Sequence, residues 1–152
     1  MSELILIEDI LNALIALEEK SSKNYDILAR NAESIESKTL FETLSIKEQE
    51  HKEIYEMFKK DHVLTEEVDE EYSGYVDALL HNSFYEELDF DFKYSFEEGI
   101  RYAMNLERDT IIFLNEIKSF ANIVYAQEIE QLKNEEKKHL RILNDIKKQY
   151  LK

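Results

Sequence analysis

The chain contains no cysteine, no proline and no tryptophan, and only two glycines, Gly74 and Gly99, in 152 residues. Without cysteine it can form no disulfide, thiol nucleophile, cysteine-ligated zinc site or iron–thiolate module of its own. The same absence leaves the redox character of its compartment open. Without proline, and with glycine so scarce, little interrupts the backbone. Abundant leucine, isoleucine, glutamate and lysine then point to an all-α fold of long helices. Positive charge is also scarce: 19 Lys and Arg stand against 34 Asp and Glu, a formal net charge of −15. That balance argues against binding nucleic acid or an anionic membrane surface. No uncharged run approaches the roughly 20 residues needed to cross a bilayer. Residues 1–17 carry Glu3, Glu8 and Asp9 and lack the basic start and small-residue cleavage site of a signal peptide. The expectation is a cytoplasmic protein forming a single domain over residues 1–152.

What is present is a helical apolar periodicity in four stretches. The first covers residues 4–32 through Leu11, Leu14, Tyr25 and Leu28. The second covers residues 37–61 through Phe41, Leu44, Tyr55 and Phe58. The third covers residues 95–120 through Ile100, Ala103, Met104, Ile111 and Leu114. The fourth covers residues 123–150 through Ile129, Leu132, Leu140, Leu143 and Ile146. Short breaks at 34–37 and 119–122 make two antiparallel hairpins. Residues 63–94 are too long for a turn. They predict a crossover with a short helix from about residue 65, followed by an acidic, aromatic segment (Phe84, Tyr85, Phe90, Phe92, Tyr94). Two hairpins joined by a long crossover give an antiparallel four-helix bundle of ferritin-like connectivity.

Two Glu-x-x-His pairs, Glu48/His51 and Glu136/His139, lie in the second and fourth stretches. Glu18 precedes Glu48 by 30 residues, and Glu107 precedes Glu136 by 29. In so acidic a chain one acid-x-x-His arises by chance, so position must decide. His62 and His81, with Lys59 and Ala78 three residues before them, carry no such pattern and read as surface or crossover histidines. The six paired residues all fall on the apolar stripes, because residues three, four and seven apart share a helix face. Glu18 shares its stripe with Leu11, Leu14 and Tyr25, whereas Glu19 sides with Lys23 and Asp26. Both glutamate pairs are also equidistant from a predicted turn, which places them at about 22 Å from it, near mid-bundle. Unpartnered buried carboxylates cost several kcal/mol each, and Lys52 and Lys133 only flank the stripes. Two divalent ions would balance the four glutamates.

These residues resemble the ferritin-like di-iron carboxylate proteins, and the rubrerythrin-like branch most closely. The likeness rests on Glu18 with Tyr25 seven residues on, Glu48-Gln49-Glu50-His51, Glu107-Arg108-Asp109-Thr110, and Glu136-Lys137-Lys138-His139. It implies that the four glutamates and two histidines bind two Fe ions, and that one pair of glutamates bridges them. It further implies that Tyr25 hydrogen-bonds a ligand carboxylate from beside the cluster. The chain departs from that family pattern at three places. It has no cysteine-rich rubredoxin domain, so electrons must come from a separate donor protein. Met104 and Thr110 stand where an additional third-helix glutamate would flank Glu107. Phe113-Leu114 replaces an aromatic-Tyr pair.

The mixed nitrogen and oxygen donors suit Fe, with Mn as an alternative. The leading expectation is reduction of hydrogen peroxide or dioxygen, with Tyr25 as an orienting group and a homodimer as the assembly that relatives commonly adopt. Two other readings stay open: ferroxidation with iron storage, and a non-enzymatic helical interaction protein whose acidic stripes are incidental. The crossover could dock a donor, strap the bundle or build a dimer interface.

Overall fold

The structure is a computed structural model that describes residues 7–61, 71, 74–75, 77–78, 88, 93–120 and 123–150. Four helices dominate it: α1 (Ile7–Arg30), α2 (Ile35–Asp61), α3 (Phe96–Phe120) and α4 (Ile123–Tyr150). Their bounds lie within a few residues of those the periodicity predicts. α1 and α2 form one antiparallel hairpin, and α3 and α4 form the other. The two hairpins face each other in an all-α four-helix bundle. Among the described residues, no helix is long and apolar enough to cross a membrane.

Local chemistry sets the ends. Acidic residues open α1, α2 and α3 (Glu8 and Asp9, Glu36, Glu97 and Glu98), and lysine or arginine closes all four helices, as the helix dipole favours. The first break begins earlier than the sequence implies. Ser34 is the cap of α2, its Oγ accepting from the Ser37 N–H at 3.1 Å, so Ser37 already belongs to the helix. Ser95 and Glu98 cap α3 reciprocally: the Glu98 N–H donates to Ser95 Oγ at 3.1 Å, and the Ser95 N–H donates to Glu98 Oε1 at 3.2 Å. The expected second break at 119–122 is described only at residues 119–120, which are helical; residues 121–122 lie outside the described residues.

Register within each hairpin is held by specific pairs. Ser22 and Ser45 exchange hydrogen bonds, each hydroxyl donating to the other's carbonyl at 3.2 and 3.0 Å. Small side chains here let α1 and α2 approach closely near mid-bundle. Lys118 Nζ donates to Glu130 Oε2 at 2.6 Å, and Lys133 Nζ donates to Asn115 Oδ1 at 3.0 Å, which pins α3 to α4.

The apolar interior has two lobes with the polar site between them. One contains Tyr25, Leu28, Phe41, Leu44, Ile100, Ala103, Leu106 and Leu143. The other gathers Leu11, Leu14, Tyr55, Phe58, Leu114, Ile129 and Leu132 around a nearly filled gap. The crossover meets the bundle at Leu88, whose N–H donates to Asn24 Oδ1 at 3.2 Å, while Asn24 Nδ2 donates to the Tyr102 hydroxyl at 2.6 Å. Tyr94 packs on the first lobe. Glu71, Gly74, Tyr75, Asp77 and Ala78 are helical. The expected start of that helix at residue 65, the aromatics Phe84, Tyr85, Phe90 and Phe92, and both His62 and His81 lie outside the described residues.

Gly99 lets α3 press on the first lobe. A Cβ there would stand 2.7 Å from Phe41 Cζ and 3.5 Å from Leu28 Cδ2. The Phe41 ring cannot swing away freely, since Tyr25 stacks on it at 6.4 Å and Phe96 meets it edge-on at 6.3 Å. Alanine would gain helix propensity but overpack the lobe. Gly99→Ala is therefore expected to lose about 1–2 kcal/mol in denaturant unfolding, and a Phe41→Leu background should recover most of that loss.

Candidate metal centre

Each helix contributes from its inward stripe at mid-length. Glu18 and Glu48 are 1% and 2% exposed, Glu107 and Glu136 are 1% each, and His51 is fully buried. His139 is the most accessible of the six, with 12% of its side chain exposed. All six expected residues come together in two overlapping groups. Donor atoms of Glu48, Glu107, Glu136 and His139 lie within 4.8 Å of one another, and so do those of Glu18, Glu48 and His51. Glu48 belongs to both groups. Glu136 also spans them, with Oε1 2.5 Å from His51 Nδ1 and Oε2 3.8 Å from His139 Nδ1. The two imidazoles stack at 5.7 Å, which ties α2 to α4.

Close as these atoms are, few offset one another: Glu136 and the imidazoles do so as ion pairs. Both oxygens of Glu18 and Glu107 and one oxygen of Glu48 make no hydrogen bond, although all are buried. Buried polar atoms are ordinarily paired. Among the described residues, no lysine or arginine nitrogen reaches any of the six. Lys133, the nearest buried cation in sequence, spends its charge on Glu130 and Asn115. Donors that each sit about 2.0–2.2 Å from a common ion stand up to roughly 4.4 Å apart, so groups within 4.8 Å need only small side-chain adjustments to close on ions. The oxygen and imidazole donors present also fit the hard or borderline divalent metals.

The electrostatics of the metal-free chain agree. Burial, reinforced by the negative charge of Glu48, holds the Glu18 carboxyl well above the usual range. Burial likewise lifts Glu48 to about 7. For His51, burial opposes the charged ring, but Glu136, Glu48 and Glu135 outweigh it and raise the ring to about 9. His139 is raised by the same carboxylates against the same burial cost. Glu136 is desolvated too, yet the two imidazoles pull it below its ordinary value. Protons on Glu18, Glu48 and the histidines thus sit where divalent cations would, and metal binding must displace them.

A stability profile follows from these shifts. A carboxyl held at about 7 against 4.5 unfolded penalises folding increasingly as pH rises through that window. An imidazole held at about 9 lends stability that is complete below 6.5 and lost as pH rises to 9. Both signs agree, so the chelator-treated chain should melt on the order of 5–10 °C lower at about pH 9 than at about pH 5. A flat or rising melting profile would contradict the burial of these groups.

Several features escaped the sequence reading. His51 Nε2–H donates to Glu135 at 2.8 Å, which fixes the ring with Nδ1 facing the cluster. Glu135 is half exposed and adjoins Glu136, so nothing in a one-helix pattern marks it as a partner of α2. Asp109 is buried and lifted to about 6, by burial against the pull of Arg108. It shares a face with Leu106 and Phe113, a legible signal. That face lies about 200° around the helix from Glu107 and turns away from the six. At the position flanking Glu107, Thr110 donates its hydroxyl to the Leu106 carbonyl at 2.9 Å, and Met104 packs at the edge of the first lobe. Tyr25 is fully buried in the first lobe, two helical turns along α1 from Glu18 and edge-on to Tyr102 at 6.1 Å.

An antiparallel bundle with carboxylates and histidines converging from all four helices defines the ferritin-like class of helical metal-site proteins. The rubrerythrin family profile matches residues 9–147. The fold is also similar to a crystal structure from Thermotoga maritima, provisionally described as a ferritin-like diiron-carboxylate protein. That likeness has a TM-score of 0.73 at 23% identity and covers 97% of this chain and 98% of that one. No curated protein sequence matches the chain. The chain belongs to the rubrerythrin family.

Proposed function

We propose that the chain reduces hydrogen peroxide or dioxygen at a di-iron centre held by Glu18, Glu48, His51, Glu107, Glu136 and His139. The observation that carries this reading is the convergence of five buried side chains and the nearly buried His139, with the inward oxygens of Glu18, Glu48 and Glu107 left without hydrogen bonds. In it Glu18 and His51 would hold one ion, Glu107 and His139 the other, and Glu48 and Glu136 would be available to both. Two irons, when bound there, supply the two electrons that with two protons convert hydrogen peroxide to two molecules of water.

The protein's own groups do the rest. Four carboxylates neutralise the four positive charges of a divalent pair within a dry interior. A cleft of about 320 Å³ between α2 and α4, walled by Leu40, Leu44, Ile142 and Leu143, reaches His139. It is roomy enough to admit a molecule the size of peroxide. Glu135, open to solvent and bonded to His51, gives protons a route from that cleft toward the interior. Tyr25 supports α1 two turns along from Glu18 by packing in the first lobe, not by a hydrogen bond to that carboxylate.

Anaerobic loading with Fe(II), followed by rapid mixing with hydrogen peroxide and separately with dioxygen, tests the reading. Peroxide should oxidise the bound iron much faster than dioxygen does. Faster oxidation by dioxygen with growth of a mineral would instead establish iron storage, and failure to bind iron would remove both.

A further inference from the structure

Among the described residues, the surface of this acidic chain includes a region of opposite character. A groove of about 520 Å³ runs along the outer side of the α3–α4 hairpin, and its charged lining consists of Arg101, Arg108, Lys137, Arg141 and Lys147 with no carboxylate. In a chain where acids outnumber bases 34 to 19, such a segregation of sign is unexpected of a merely solvated surface. Arg101 and Arg108 have loose partners, Glu97 and Asp109, both at 3.6 Å. Lys137, Arg141 and Lys147 meet no carboxylate among the described residues, so their charge faces outward.

The groove also lies over the buried centre. Its apolar floor includes Met104, one turn before Glu107 on α3, and Leu140, one turn after Glu136 on α4. Floor and centre are therefore separated by no more than the thickness of one helix, about 10 Å. The chain has no cysteine and hence no iron–thiolate carrier of its own.

We propose that this basic groove is the docking surface for an acidic electron-carrier protein, which delivers electrons through the α3–α4 wall to the carboxylate–histidine centre. This rests on the peroxide-reducing reading above. For each hydrogen peroxide and two protons consumed, two electrons are delivered, one from each of two reduced one-electron carriers docking in turn, two molecules of water form, and both carriers leave oxidised. An acidic protein fits better than nucleic acid, because the cations are confined to one groove while a duplex would extend over flanking acidic surface. Charge complementarity of this kind steers association even when the whole molecule is repulsive at long range.

A plant-type ferredoxin, an acidic iron–sulfur carrier, serves as the probe. Its binding to the iron-loaded full chain is titrated at low and high ionic strength. Wild type is compared with a Lys137→Glu/Arg141→Glu/Lys147→Glu variant and with Lys23→Glu/Lys38→Glu/Lys60→Glu, which changes net charge equally on other faces. Melting curves and iron stoichiometry verify that both variants are folded and loaded. Wild type should bind and lose about tenfold or more in affinity at high salt, and the groove variant should lose about tenfold at low salt while the control variant loses much less. Peroxide-driven oxidation of reduced ferredoxin should fall in parallel, while oxidation of pre-bound Fe(II) by peroxide stays at the wild-type rate. Absence of ferredoxin binding by wild type, or equal losses in the two variants, would overturn the proposal. So would binding of duplex DNA at the groove in place of ferredoxin. The peroxide reaction without ferredoxin reads the proposed function separately, so docking specific to the groove with no peroxide reaction would support the surface and sink the activity.

Discussion

Saturation with Fe(II) under anaerobic conditions is expected to raise the melting temperature of the chain by about 10 °C or more. An ion that binds only the folded state adds about 2.7 kcal/mol at a hundredfold excess over its dissociation constant. Two such ions give about 5 kcal/mol, at roughly 2–4 °C per kcal/mol for a chain of this size. The pH dependence should also reverse. Without metal, Glu18, Glu48, His51 and His139 hold protons and the fold weakens toward alkaline pH. With metal those protons must leave, so binding and the stability it adds grow as pH rises. Melting curves at about pH 6 and 8, with metal and with chelator, should slope in opposite directions. Parallel slopes would mean that the metal binds elsewhere.

The second large effect is an asymmetry among the six residues. Glu136 faces both imidazoles, and Glu48 belongs to both donor groups, whereas His51 and His139 each serve one side. Glu136→Ala should therefore weaken both positions, because the remaining group of Glu18, Glu48 and His51 loses the carboxylate beside its imidazole. Affinity should fall at least about a hundredfold, so that little metal survives dialysis. His51→Ala should leave the group of Glu48, Glu107, Glu136 and His139 able to hold one ion. In the metal-free chain Glu136→Ala removes the counter-charge of two buried rings, so His51 should titrate well below about 9. Equal stoichiometries for the two variants, measured by metal analysis after dialysis, would contradict the shared role of Glu136.

The fold was legible because helix periodicity ran almost uninterrupted through a chain without proline. The helix bounds and the hairpin pairing followed from that pattern and from two short breaks. The displaced start of α2, at Ser34, turned on which of two nearby serines caps the helix, a choice settled by a single hydrogen bond. The site was legible because all six residues lie on stripes where a charged side chain is out of place, at matched distances from two turns. Glu135 was not legible, since its partner His51 lies 84 residues away on another helix and its own position is half exposed. The basic groove was hidden for a similar reason. Its five cations are spread over two helices, at positions that each read as ordinary solvated surface. Only packing α3 beside α4 assembles them.

Anomalous diffraction from crystals of the chain soaked anaerobically in Fe(II) tests the central claim most directly. Two iron peaks about 3.5–4 Å apart should appear among Glu18, Glu48, His51, Glu107, Glu136 and His139, with Glu48 and Glu136 between them. Iron bound only at other carboxylates, or none within the bundle, would contradict it.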